Sequence, residues 1–184
     1  MKKLIGAAAF MLLTALAASA SAATADDIEL WVDADKTAYL LNKTGADISF
    51  DGYQVVSETN ALDLTGWVSI ADRVMSGQGQ AVADQLGNGI YGFGEMSPTT
   101  SQISEANISG VGILKAGDKF TLGKPFGGAA LGEIDPQNTF FFKVGGIAQQ
   151  FEGKITVVPE PSSLVLGGMG LVGLAALIRR RRAA

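Results

Sequence analysis

The stretch Asp27-Ile28-Glu29-Leu30-Trp31-Val32-Asp33, DIELWVD in one-letter code, alternates strictly. Ile28, Leu30 and Val32 fall on one face and Glu29, Trp31 and Asp33 on the other, the period-two pattern of a half-buried strand. The same pattern recurs on its C-terminal side. "DADK" turns into a second strand, "TAYLLN", and "KTGAD" is a further turn in which Gly45 is expected to take a positive φ. "ISFDGYQVVS" follows as a strand, with Ile48 and Phe50 opposed to Ser49 and Asp51, and Gly52 marks a bulge or bend.

The period then changes. Leu64, Trp67, Ile70 or Ala71, and Val74 recur at intervals of three to four, which predicts a short helix or helical turn within 62–75. Residues 78–98 are rich in Gly, Ser and Gln and read as a long irregular connection. Residues 119–122 read as a strand entered through a turn at Gly117. In "NTFFFKV", Phe140, Phe142 and Val144 share a face, Gly145-Gly146 predicts a two-residue hairpin, and "IAQQF" returns. "KITVV" is a last strand running into Pro159. Short strands with little helix predict an all-β fold, an antiparallel β-sandwich with a short helical turn.

The two ends have a different character. Residues 1–25 begin with Lys2 and Lys3, continue through an apolar stretch and finish in "ASASAATA". That is the form of a secretory signal peptide, with cleavage expected after Ala20, Ala22 or Ala25. A body at 26–157 has the length of one domain with its own core. The whole chain carries a net charge of −4, but the body holds 8 basic against 17 acidic residues, a net of −9. Such a surface disfavours nucleic acid and anionic lipid.

Histidine and cysteine are both absent. Their absence removes thiol nucleophiles, His-assisted serine triads and His-ligated zinc. No cofactor is expected. The aspartates Asp26, Asp27, Asp33 and Asp35, and the nearby Asp47 and Asp51, have oxygens suited to calcium. "DADKTAYLLNKT" lacks the glycine and terminal glutamate of an EF-hand loop, so solvated turn residues are the preferred reading and no metal site is assigned.

The carboxylate pairs Glu95 with Glu105 and Glu133 with Asp135 could serve glycoside hydrolysis. No accompanying motif supports that role, so no catalytic residue is assigned and the body reads as non-enzymatic. Of the aromatics Trp31, Tyr39, Tyr53, Trp67, Tyr91 and Phe93, Trp67 is read as core together with Phe140 and Phe142. Trp31 lies opposite the apolar face of its strand and stays open as a stacking surface for sugars. Asn42-Lys43-Thr44 and Asn107-Ile108-Ser109 match the glycosylation tripeptide and are read as turn residues.

Residues 158–184 read "VPEPSSLVLGGMGLVGLAALIRRRRAA". The apolar run from Leu164 to Ile178 has fifteen residues, followed by Arg179, Arg180, Arg181 and Arg182. As a helix it would reach ~22 Å against a hydrocarbon core of ~30 Å, a short single transmembrane span. The arginines act as a stop-transfer cluster and set the cytoplasmic end by the positive-inside rule. Pro159 and Pro161 hold the chain extended just outside the bilayer.

Pro159-Glu160-Pro161, the serines after it, the short apolar helix and the arginine cluster together resemble the PEP-CTERM sorting signal. The resemblance implies export and a transient inner-membrane anchor in a Gram-negative bacterium. It also implies cleavage near Pro159-Glu160-Pro161 by exosortase, after signal peptidase has acted at the other end. The product would pass to the cell envelope or an extracellular matrix, with exopolysaccharide as a further partner. More loosely, "LNKTGADISFDGYQVVS", "GDKFTLGKPF" and "NTFFFKV" resemble immunoglobulin-like lamin-tail-type modules, which supports the sandwich. The function expected is that of a non-enzymatic cell-surface or biofilm-matrix protein; the alternative is a secreted carbohydrate-binding module.

Overall fold

The computed structural model describes residues 24–158. The expected signal peptide up to Ala23, and Pro159, Glu160, Pro161, the run from Leu164 to Ile178 and Arg179–Arg182, lie outside the described residues. The strand that opens the body is β1, Ile28–Val32, followed by β2, Ala38–Asn42, and the ten-residue β3, Ile48–Ser57. A helical segment follows, comprising α1, Ile70–Arg73, a wide turn over Val74–Gln78 kinked at Gly77, and α2, Gly79–Leu86. Then come β4, Phe93–Glu95; β5, Gln102–Asn107; β6, Gly112–Leu114; and β7, Lys119–Thr121. The helix α3, Leu131–Gln137, precedes β8, Asn138–Val144; β9, Gln150–Gly153; and β10, Ile155–Val157.

These strands form two sheets. One has the order β10-β1-β2-β7; the other runs β4-β5-β3-β8-β9, with β6 pairing the start of β3. Alternation does what the sequence predicts. Ile28, Leu30 and Val32 are wholly buried, as are Phe50, Val55, Ile103, Phe140 and Phe142 from the larger sheet, and both sets join one apolar cluster. Full burial of a side chain of this size stabilises the fold by about 2 kcal/mol. Trp67 joins this core, as its spacing predicts.

Several expectations are corrected. Pairing is antiparallel except at one place: β10 lies parallel to β1, Leu30 opposite Ile155 and Val32 opposite Val157. Residues 78–98 are not an irregular connection. Within α2, Val82, Ala83 and Leu86 fall at positions that share a helical face and are buried, so tertiary burial overrides a Gly- and Gln-rich composition. The predicted helix of 62–75 begins only at Ile70, capped by Ser69, whose side chain accepts from the Asp72 N–H. Leu64 is exposed, while Trp67 reaches the core ahead of the helix from its bridge to Gly123.

Turn chemistry differs as well. Gly45 is not among the residues with positive φ; Lys36 and Gly117 are. The Asn42 side chain holds the Gly45 turn instead, donating to the Ala46 and Leu114 carbonyls, each at 2.8 Å, and accepting from the Thr44 N–H. Gly145-Gly146 does not close a two-residue hairpin. Lys143 pairs with Gln150, so the loop is longer, although Gly146 does take φ 81°. The bulge expected at Gly52 is present as a register shift between Phe50 and Gly52 against β8.

The chain crosses from the larger sheet to the smaller one just after Gly153. A Cβ there would lie 2.7 Å from the Phe140 ring and 2.8 Å from the Ile28 carbonyl oxygen. Gly153→Ala is therefore expected to destabilise the domain by about 2 kcal/mol through overpacking. A urea unfolding midpoint equal to that of the native protein would refute this.

Candidate functional site

The last strand connects the fold to the sorting segment. β10 is held at the edge of the smaller sheet by the Leu30 N–H, which donates to the Lys154 carbonyl at 2.9 Å. One residue past the strand, the Val158 N–H donates to the Val32 carbonyl at 2.8 Å. The next residue is Pro159, whose nitrogen carries no hydrogen and cannot extend the ladder. The Val158 bond is the last sheet hydrogen bond among the described residues, and the candidate cleavage motif begins directly after it in sequence. Among the described residues no helix is long and apolar enough to cross a membrane.

Inside the body, the most polar buried assembly is centred on Glu105. Alternation along β5 puts Glu105 on the same inward face as Ile103, and its residue is only 1% exposed. The Tyr53 hydroxyl donates to its Oε2 at 2.5 Å, and the Trp67 indole N–H donates to the Tyr53 oxygen at 3.1 Å. The Ile70 and Ala71 N–H groups donate to Oε2 and Oε1, each at 2.8 Å. Glu105 therefore ties β3, β5 and the first turn of α1 into one network, supplying the acceptors that the start of a helix lacks.

Desolvation raises the Glu105 carboxyl above its ordinary range, against the opposing pull of Tyr53 and the two backbone donors. Burial, then the negative Glu105, pushes the Tyr53 hydroxyl well up. Glu95 does lie directly opposite Glu105 in the β4–β5 register. The oxygens of Glu105 are already engaged by Tyr53, Ile70 and Ala71, which makes it a structural acceptor. Glu133 and Asp135 are exposed, and at a spacing of two on α3 they do not share a helical face.

The aspartates serve turns and ion pairs. Asp33 accepts from the Trp31 indole at 2.9 Å. Asp35 accepts from Thr37 and lies 3.0 Å from Lys124. Lys124 first, and Thr37 second, hold the Asp35 carboxyl down at about 2. Its contribution to stability is present above its ordinary 3.8 and is lost as pH falls toward about 2. Asp47 accepts from the Ala116 N–H at 3.0 Å, and Asp51 pairs with Lys143 at 3.4 Å. Asp27 closes a turn onto Thr24, while Asp26 is exposed. Among the described residues, no group of three His, Cys, Asp or Glu side chains is placed to hold a metal ion.

Of the aromatics, Tyr53, Trp67 and Phe93 are core and Tyr91 is exposed. Trp31 and Tyr39 stand opposite each other on the outer face of the smaller sheet, both half-buried, and Lys119 covers the Tyr39 ring at 4.1 Å. Asn42 and Asn107 both act as turn residues. The Asn107 side chain donates to the Gly89 carbonyl at 2.7 Å and accepts from the Ser109 and Gly110 N–H groups.

What sequence reasoning missed is the Glu105–Tyr53–Trp67 network. Its available signal was the period-two placement of a glutamate on the apolar face of β5.

Comparison with known families matches residues 157–182 to the PEP-CTERM protein-sorting motif. The match starts at Val157, inside β10. No curated protein and no solved structure matches the chain.

Proposed function

From an exported, exosortase-sorted protein of the Gram-negative envelope, we propose a non-enzymatic component of the cell surface or extracellular biofilm matrix. The observation that carries this reading is the sorting motif fused without a linker to the last strand of the body. In this reading the signal peptide at 1–25 directs export and is removed by signal peptidase. The run from Leu164 to Ile178 then anchors the chain briefly in the inner membrane, with Arg179, Arg180, Arg181 and Arg182 on the cytoplasmic side. Exosortase cuts near Pro159-Glu160-Pro161, and the body at 26–157 is released or attached outside. Two sheets sharing one apolar core support an immunoglobulin-like sandwich for that body. The engagement of Glu105 by a hydroxyl and two backbone donors favours a structural over a hydrolytic role.

The test is the C-terminus of the protein recovered from its host with and without exosortase. The expected result is a mature C-terminus near Pro159–Pro161 and recovery in the matrix fraction. Without exosortase, the tail should be retained in the membrane fraction. Identical termini and fractions in the two strains would overturn the sorting reading, and an unchanged biofilm on deletion of the protein would overturn the matrix role.

A second reading, a carbohydrate-binding module, is favoured by the pairing of Trp31 with Tyr39 on an outer sheet face. Lys119 already occupies one side of the Tyr39 ring, which narrows the surface left for a sugar there.

A further inference from the structure

The outer face of the larger sheet carries a trough built by register. Gly94, Ala106 and Gly52 are direct neighbours across β4, β5 and β3, so three adjacent strands present a row with no side chain beyond a methyl group. This floor spans two inter-strand spacings, ~10 Å. The next outward-facing row raises a wall: Ser104 lies opposite Gln54, and the Met96 N–H donates to the Ser104 carbonyl. Lys143, paired with Gln150 across β8 and β9, closes the far end, where Asp51 lies 3.4 Å from its ammonium. Ala106 and Gly52 line an open cleft of about 440 Å³, and Gly94 lies just beyond its edge.

We propose that this trough binds a segment of an uncharged polysaccharide. The proposal rests on the carbohydrate-binding reading above and moves its site from Trp31 to the opposite sheet. Four features select that ligand class. The walls carry the amides of Gln54, Gln102 and Gln150 and the hydroxyl of Ser104, groups that both donate and accept, as hydroxyl-rich sugars require. Gln150 donates to Gln54 at 3.1 Å, so these two amides join into one continuous polar wall.

Met96 and Ile108, 54% and 92% exposed, supply apolar rim for the C–H faces of sugar rings. The single ammonium, Lys143, is already matched by Asp51, and the body is acidic overall, so a polyanion has no complementary charge. An extended peptide lacks its usual handle within the cleft, because the backbones of β5 and β3 beneath it are already paired on both sides.

The test is affinity electrophoresis of the mature protein recovered from its host. Separate gels contain a neutral glucan, a neutral mannan or a polyuronate. Ala106 lines the cleft from the outer face of β5 with no more than a methyl group, so Ala106→Leu fills the trough. Gln54→Ala removes one wall amide.

The expected result is retardation by at least one neutral polymer, weakened roughly tenfold or more by either substitution. Trp31→Ala should bind as the native protein does. A melting curve matching the native one verifies that each variant is folded. Retardation that survives both trough substitutions overturns the trough while leaving the carbohydrate reading in place. Loss on Trp31→Ala alone returns the site to the smaller sheet. Retardation by the polyuronate alone overturns the neutral ligand class, and no retardation in any gel overturns the proposal and the carbohydrate reading together.

Discussion

Glu105→Ala is expected to destabilise the body by about 4 kcal/mol, because it leaves three buried donors without an acceptor, each costing ~1–3 kcal/mol. The donors are the Tyr53 hydroxyl and the Ile70 and Ala71 N–H groups. Loss of the first turn of α1 should accompany the effect, since two of those donors are its unpaired N-terminal amides. Glu105→Gln keeps one acceptor oxygen but turns an NH₂ group toward a donor, so about 2 kcal/mol is expected. Urea unfolding followed by tryptophan fluorescence in a Trp31→Phe background, where Trp67 is the reporter, checks both. Native-like midpoints in both variants would show that the network is dispensable.

The same side chain gives stability a pH dependence whose sign can be worked out. The folded-state carboxyl titrates above its ordinary 4.5 because of burial. Between that value and the raised one, the folded protein binds more protons than the unfolded chain, so stability falls as pH rises through this window. Glu105→Gln should remove that slope. If the native protein instead gains stability over the window and the variant follows the same curve, burial does not govern this group.

The second large effect concerns processing. Replacing Pro159, Glu160 and Pro161 with alanines is expected to slow exosortase cleavage by roughly tenfold or more, each factor of ten being ~1.4 kcal/mol of recognition. The uncut chain should accumulate in the membrane fraction. The physical reason begins in the described fold. Val158 makes the last sheet hydrogen bond among the described residues, and the proline next in sequence has no N–H to continue the ladder and a φ fixed by its ring. Alanines restore two N–H groups and release both constraints on φ. Unaltered kinetics in a pulse–chase experiment with exosortase present would contradict the role assigned to these three residues.

Much of the body was legible from local pattern. The alternation of 27–33 identified β1 and its buried face, and "NTFFFKV" did the same for β8, because side chains on successive strand residues point to opposite sides. Turns written with Asp, Asn and Gly were legible for the same local reason, except where Asn42 replaced Gly45 as the determinant and where the Gly145-Gly146 loop proved longer than two residues. The helix α2 escaped because its three core contacts are spaced among glutamine, glycine and aspartate, and only a neighbouring sheet makes their shared face favourable.

What the sequence determined by itself is local or terminal: strand periodicity, an acidic body without thiol or imidazole, and the ordered features of the sorting motif. What the tertiary structure decided depends on register between distant segments. The parallel pairing of β1 with β10 joins residues more than a hundred positions apart. The meeting of Tyr53, Trp67, Glu105 and the start of α1 is equally non-local. The row of Gly52, Ala106 and Gly94 exists only once β3, β5 and β4 are aligned. A period of two tells which face a residue takes, and it carries no information about which residue lies beside it on the next strand.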